Sequence, residues 1–218
     1  MKELTHTKIA AEVAQKLLQI KAIKLSPQNP FTWASGLKSP IYCDNRIVLS
    51  HPDIRRIVLE GLIEISEAFR PFDVIAGVAT AGIAHGALLA NALNLPFIYV
   101  RNKAKGHGRQ NQIEGEIQGG ERVLVVEDLI STGGSCLQAV EALREARTNV
   151  CGVMAIFTYG FERAEKAFEE ANCPYTTLTN YHTLIQEAVE SQYINESDLL
   201  SLGTWRKDPA NWSAGLEQ

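Results

Sequence analysis

The sequence predicts an α/β fold: a Rossmann-like parallel sheet of about five strands flanked by helices. Three observations carry this reading. Asp73–Val78 (DVIAGV) and Arg122–Val126 (RVLVV) are runs of the near-continuous apolar kind that marks strands buried on both faces. Strand-like and helix-like segments alternate along the chain from residue 73 onward. The composition, 45% hydrophobic and 21% charged over 218 residues, suits a globular protein that buries roughly 70% of its unfolded surface.

Taken in order, Ile9, Val13, Leu17 and Ile20 repeat at a helical period and predict a helix over 9–20. An irregular stretch follows, with three prolines and two short β-prone pieces. Ser50 before His51-Pro52-Asp53 reads as a helix start, a hydroxyl cap followed by proline and an acid in the first turn. That helix runs on Ile54, Ile57, Val58, Leu62 and Ile65. After the strand 73–78, the small-residue turn Ala79-Thr80-Ala81-Gly82 opens an apolar helix ending near Leu93. Phe97–Val100 is the next strand. Residues 102–120 show no periodicity and contain five glycines, so they read as a long loop. A strand at 122–126, a helix from Ser135 to Ala146, a strand at 150–157, a helix at 163–171 and a short strand at 175–178 complete the alternation. Helices at 182–189 and 196–202 close it. No internal repeat or linker composition breaks the chain, so 1–218 reads as one domain.

Composition excludes several classes. The net charge is −4, from 21 basic and 25 acidic residues, which lacks the basic footprint that nucleic-acid binding requires. The four cysteines (Cys43, Cys136, Cys151, Cys173) are scattered, and with the five histidines they form no zinc-spaced cluster. No apolar run approaches the roughly 20 residues of a membrane span, and MKELTHTKIAAEVAQ lacks a signal peptide's apolar block. A cytoplasmic protein is the expectation.

In open α/β sheets ligands bind beyond the carboxyl ends of the strands. There the segment RVLVVEDLISTGGS places two acids, Glu127 and Asp128, before Leu129-Ile130 and the small, hydroxyl-rich Ser131-Thr132-Gly133-Gly134-Ser135 that leads into a helix. Backbone N–H groups and the dipole at such a helix start hold phosphate. Two carboxylates just before it accept hydrogen bonds from a vicinal diol. Together they describe a site for ribose 5-phosphate. Neither G-x-G-x-x-G nor G-x-x-x-x-G-K-[ST] occurs, which disfavours dinucleotide and P-loop sites. A second segment, Arg101 to Arg109 (RNKAKGHGR), carries four full positive charges and no acid. Clustered bases beside a phosphate site suit a leaving diphosphate, whose charge grows as its bond breaks. Its glycines suit a loop that closes over a reactive sugar.

The acid-pair block resembles the phosphoribosyl-diphosphate (PRPP) motif of the type I phosphoribosyltransferases. F-T-x-x-S-G-x-K-S-P-x-Y over 31–42 and R-x-K-x-K-x-H-G over 101–108, with that block, occur in this order in orotate phosphoribosyltransferases. Trp205-Arg206-Lys207-Asp208-Pro209 resembles the tail of one bacterial branch of the family. The resemblance implies transfer of phosphoribose from Mg²⁺-bound PRPP to orotate. It implies a hood built from residues 1–50 and the C-terminal tail, and a homodimer with shared active sites.

By the same resemblance, Glu127 and Asp128 take the ribose hydroxyls, and Ser131, Thr132, Gly133, Gly134 and Ser135 the 5′-phosphate, with Leu129 and Ile130 in the same motif. Arg101, Lys103, Lys105 and His107 take the diphosphate, with Thr80 and Ala81 beneath it. Lys105, His107 and Asp128 are the expected catalytic residues. The metal is expected to be held mainly through PRPP rather than by protein ligands. Ser131, Tyr42, Lys38 and Arg46 are expected at orotate, Arg46 at its carboxylate. Three positions depart from many relatives: Ala34 and Asn102 stand where lysines occur, and Gly160 where an arginine occurs. Gly106 replaces a common loop aspartate. A purine phosphoribosyltransferase or a PRPP-sensing regulator is the alternative. The segment over 31–42 opposes the first; the acidic charge and the lack of spare length oppose the second.

Overall fold

The structure is a computed structural model that describes residues 2–33, 36–101 and 112–212, without the side chains of 2–7. The chain forms two compact units, one of Met1–His51 with Thr179–Gln218, the other of Pro52–Leu178.

In the first unit, α1 (Lys2–Gln19) buries Val13, Ala14, Leu17 and Leu18. The helix begins earlier than its apolar period, which only marks the turns that pack. The irregular stretch resolves into two small antiparallel sheets. One pairs β1 (Ile23–Leu25) with β4 (Ile41–Cys43), the other β2 (Phe31–Thr32) with β3 (Lys38–Ser39). A 3₁₀ helix (Asn45–Ser50) follows, its first turn capped by the Asp44 carboxylate, which accepts from the Arg46 N–H at 3.2 Å.

In the second unit, α2 (Pro52–Ser66) opens on proline as expected, but Ser50 ends the 3₁₀ helix, and extended His51 precedes the first helical residue instead. The chain continues through β5 (Val74–Val78), α3 (Ala81–Leu93), β6 (Phe97–Val100), β7 (Ile113–Glu114), β8 (Arg122–Ile130), α4 (Gly134–Glu145), β9 (Asn149–Thr158) and α5 (Glu162–Glu170). Asn94, left-handed at φ 53°, ends α3, a conformation asparagine tolerates. Next β10 (Tyr175–Asn180) leads into α6 (Tyr181–Glu190) and α7 (Leu199–Lys207) of the first unit. The closing helix predicted over 196–202 is thus a 3₁₀ turn (Glu196–Asp198) followed by α7.

Among the described residues the main sheet has six strands in the order β10-β9-β8-β5-β6-β7. The β6–β5, β5–β8 and β8–β9 pairs are parallel, and β7 is a short antiparallel edge on β6. The short edge strand β7 adds to the strands read from the sequence. It falls inside the stretch read as a loop, where two residues are too few to show a period. The parallel ladder sits in a continuous core that includes Ala76, Ile98, Val125, Val153 and Ala155. Such burial on both faces is why these strands read as unbroken apolar runs.

Candidate active site

The parallel register brings the carboxyl ends of β6, β5, β8 and β9 to one edge of the sheet. Val78 lies opposite Val100, Gly77 opposite Val126, and Ile130 opposite Thr158. Along this edge stand Arg101, the Ala79–Thr80 turn, the acid pair and the turn at Tyr159–Gly160.

β8 runs four residues further than its apolar run, because β9 stays alongside it. Glu127 is opposite Ala155 and Leu129 opposite Phe157. The two acids are therefore strand residues held by ladder bonds. Ile130 is fully buried, and its carbonyl accepts from the Thr158 hydroxyl at 3.0 Å and the Tyr159 N–H at 3.3 Å. The side chain of Ile130 is thus core, while Leu129 is half-buried.

The turn Ser131–Gly133 then enters α4 with Gly133 at φ 80°, a left-handed cap that glycine adopts without strain. A Cβ there would also approach the Phe168 ring to 2.9 Å, so Phe168 forms the floor of the turn. Gly133 is buried while Thr132, Gly134 and Ser135 are exposed and Ser131 is half-buried. The turn thus presents hydroxyls and helix-start N–H groups on its open side, an arrangement that binds anions.

Glu127 is 5% exposed and both of its oxygens are engaged. Oε1 accepts from the Asp128 N–H at 3.0 Å; Oε2 accepts from the Ser135 hydroxyl at 3.3 Å and faces the Cys136 thiol at 3.9 Å. The carboxyl so clips the first turn of α4 onto the end of β8. Burial, and then the neighbouring Asp128 charge, push its pKa up to about 9. Cys136, buried beside it, has its thiol pushed up by burial.

An acid whose folded pKa lies above its unfolded value favours the unfolded state as pH rises between the two. Between roughly pH 4.5 and 9, wild-type stability is expected to fall relative to Glu127→Gln, with a slope of up to about 1.4 kcal/mol per pH unit. Denaturant unfolding of both proteins at pH 5.5 and 8.5 measures it; parallel curves would contradict a neutral Glu127.

On the other side of β8, α3 is drawn in by glycines. A Cβ on Gly82 would run into the Val126 carbonyl oxygen, and one on Gly77 would meet Gly82 and Ile83 at 2.9 Å. This approach sets Thr80 and Ala81 next to the acid pair's strand, with Thr80 exposed. The Ala79 N–H donates to the Val100 carbonyl at 2.8 Å, which ties that turn to the end of β6 and to Arg101. The Arg101 guanidinium pairs with Glu114 at 3.3 Å, its backbone N–H with the Gln112 carbonyl at 2.8 Å. Arg101, Thr80, Ala81, Glu127, Asp128 and the 131–135 turn thus lie along one edge. Lys103, Lys105 and His107 lie outside the described residues, as do Ala34, Asn102 and Gly106.

A family model, the phosphoribosyl transferase domain, matches residues 45–192. The orotate phosphoribosyltransferase of Bacteroides thetaiotaomicron is 58% identical over 203 residues, covering 93% of this chain and 96% of that protein. The chain belongs to the orotate phosphoribosyltransferase family. The crystal structure of orotate phosphoribosyltransferase from Aeropyrum pernix matches with a TM-score of 0.73 at 28% identity, over 84% of this chain and 99% of that one. The UMP synthase of Leishmania donovani matches with a TM-score of 0.75 at 29% identity, over 90% of this chain but 42% of that longer one.

The residues expected at orotate other than Ser131 lie in the first unit. Arg46 forms a two-pronged ion pair with Asp44, Nε to Oδ1 at 2.6 Å and Nη2 to Oδ2 at 2.9 Å, which fixes the guanidinium's orientation and lowers the Asp44 pKa. Tyr42 is exposed, with its ring 5.8 Å from that of Phe31. Lys38 donates to the Thr32 hydroxyl at 2.8 Å across the β2–β3 pair. Gly160, where many relatives carry arginine, stands at φ 63°, a backbone that a side chain rarely adopts. Two parts of this candidate site escape sequence reading, the Phe168 floor and the Cys136 contact. The only trace of either is a cysteine one residue past Ser135.

Proposed function

We propose that this protein transfers the 5-phosphoribosyl group of PRPP to the ring nitrogen of orotate, giving orotidine 5′-monophosphate and diphosphate in pyrimidine biosynthesis. The observation that carries this is the end of β8, where a half-buried aspartate, a buried glutamate and an open hydroxyl turn at a helix start follow one another. Ser131 to Ser135 bind the 5′-phosphate through hydroxyls and the N–H groups of the first turn of α4. Asp128 accepts from the ribose diol, and Glu127 holds the turn in place beside it. Arg101, Lys103, Lys105 and His107 stabilise the charge that develops on the leaving diphosphate, and the Thr80–Ala81 turn lies under that diphosphate. Arg46, Tyr42, Lys38 and Ser131 recognise orotate. No protein nucleophile is required, since positioning and charge stabilisation carry the reaction.

Mg²⁺ fits this site as a passenger on PRPP. Asp128 would hold the ion through the ribose hydroxyls, with Glu127 fixing the turn beside it, and the ion would neutralise diphosphate charge. Incubating the protein with PRPP, Mg²⁺ and either orotate or adenine tests the reading. Consumption of orotate alone supports it, and consumption of adenine alone overturns it.

The working form is a cytoplasmic homodimer in which the 101–109 loop serves the neighbour's site. Glycines and length give the loop reach, and two-fold dimers are the commonest closed assembly. Lys105→Ala and Asp128→Ala, each inactive alone, are expected to regain roughly a quarter of wild-type activity when refolded together, since about half the dimers are mixed and hold one intact site of two. Mixed dimers that stay inactive would rule out a shared site.

A further inference from the structure

The C-terminal helix α7 buries one large side chain, Trp205, completely. Its ring meets Trp33 edge-on, with centroids 5.9 Å apart and planes at 89°. Tyr181, at the start of α6, lies 5.6 Å from the same ring. The Tyr181 hydroxyl donates to the Leu202 carbonyl at 3.0 Å, and Trp212 Nε1 donates to the Ser201 carbonyl at 3.0 Å. Trp205 therefore sits on a helix that is itself held in place.

Trp33 in turn organises the segment 31–43. Its N–H donates to the Leu37 carbonyl at 2.9 Å, and its own carbonyl accepts from the Gly36 N–H at 2.8 Å. Its Nε1 donates to the Ile41 carbonyl at 3.2 Å. The β2–β3 pair that carries Lys38 and the strand that carries Tyr42 are both fastened to this one residue. Trp205 meets the segment through the ring of Trp33, which gives it a route to the groups that Trp33 holds.

We propose that Trp205 is a positioning residue for the 31–43 segment and so tunes affinity for orotate without contacting it. The inference rests on the reading above that Lys38 and Tyr42 recognise orotate. An edge-to-face contact is a shape-specific interaction, and replacing it with an aliphatic group lets the Trp33 ring tilt and carry the Ile41 carbonyl with it. Small displacements of binding groups are costly to substrate recognition.

The test is steady-state kinetics on the full chain with each substrate varied at saturating levels of the other. Trp205→Leu is expected to raise KM for orotate about two- to tenfold, the scale of one aromatic pair, with KM for PRPP unchanged. Trp205→Phe, which keeps a ring edge, is expected to restore it. A merely structural role would lower the folded fraction and hence the maximal rate, leaving both KM values alone, and that result overturns the proposal. So does an equal rise in both. Trp33→Leu attacks the half-buried side of the same contact and carries the same expectation, so the test survives a Trp205 variant that does not fold. Tyr42→Leu and Arg46→Ala separate the two failures. If they raise the orotate KM and the tryptophan variants do not, this inference falls alone. If none of the four does, the reading of the segment falls and takes the inference with it.

Discussion

In Asp128→Asn, turnover and PRPP affinity are expected to fall roughly tenfold to a hundredfold, the loss of one charge-assisted hydrogen bond worth about 1.5–3 kcal/mol. The fold is expected to survive. Asp128 is half-buried at the end of β8, and the bond that its backbone makes, from its N–H to Glu127 Oε1, remains in the asparagine variant. The same substitution removes the Asp128 charge, which after burial is the largest cause that holds the Glu127 pKa up, while burial remains. The pH dependence of stability attributed to Glu127 is therefore expected to weaken in Asp128→Asn without vanishing. Kinetics with varied PRPP, alongside circular dichroism, decide the matter. Wild-type kinetics in a folded variant would remove Asp128 from the site.

Gly82→Ala is expected to cost more than any other alanine substitution at the edge of the sheet. The new Cβ would collide with the Val126 carbonyl oxygen and lie 3.1 Å from Glu127 Cα, both backbone atoms. Neither side can yield cheaply, because Val126 is laddered to Gly77 on one flank and Met154 on the other. Overpacking costs about 1–3 kcal/mol where side chains can move, and more where backbone must. Set against a typical total of about 5–15 kcal/mol, the variant should unfold well below the wild-type temperature or fail to accumulate in soluble form. Gly134→Ala is the control, since its Cβ would meet only the Thr132 hydroxyl at 3.9 Å and should leave the melting temperature near wild type. A Gly82→Ala protein that melts with the wild type would mean that α3 is not held against β8 as described.

Much of the fold was legible because its signals are local. The runs 73–78 and 122–126 are apolar because both faces of a parallel sheet are covered, and that requirement is written residue by residue. Pro52 and Asp53 mark a helix start by their own backbone and charge preferences, whatever they pack against. The small-residue turn before α4 was legible for the same reason, since only certain residues cap a helix and admit a phosphate. β7 was not legible, because a two-residue strand is defined by its partner Tyr99–Val100 and has no period of its own.

The sequence by itself determined the alternation of strands and helices, the acid pair and the hydroxyl turn that follows it, and the order of the motifs that resemble the family. The tertiary structure alone decided what those residues do to one another. Glu127 and Asp128 are adjacent acids in the sequence, yet one is buried, clipped to Ser135 and held neutral up to about pH 9, while the other is half-buried at the strand's end. Arg46 is expected at a carboxylate from the sequence, but only the structure shows its guanidinium paired with Asp44, and Trp33 and Trp205 stand far apart in the chain until their rings meet. The physical reason is common to all three. Desolvation, ion pairing and ring contact depend on how the fold orients and covers the side chains, near in sequence or far, and spacing along a sequence carries no record of that.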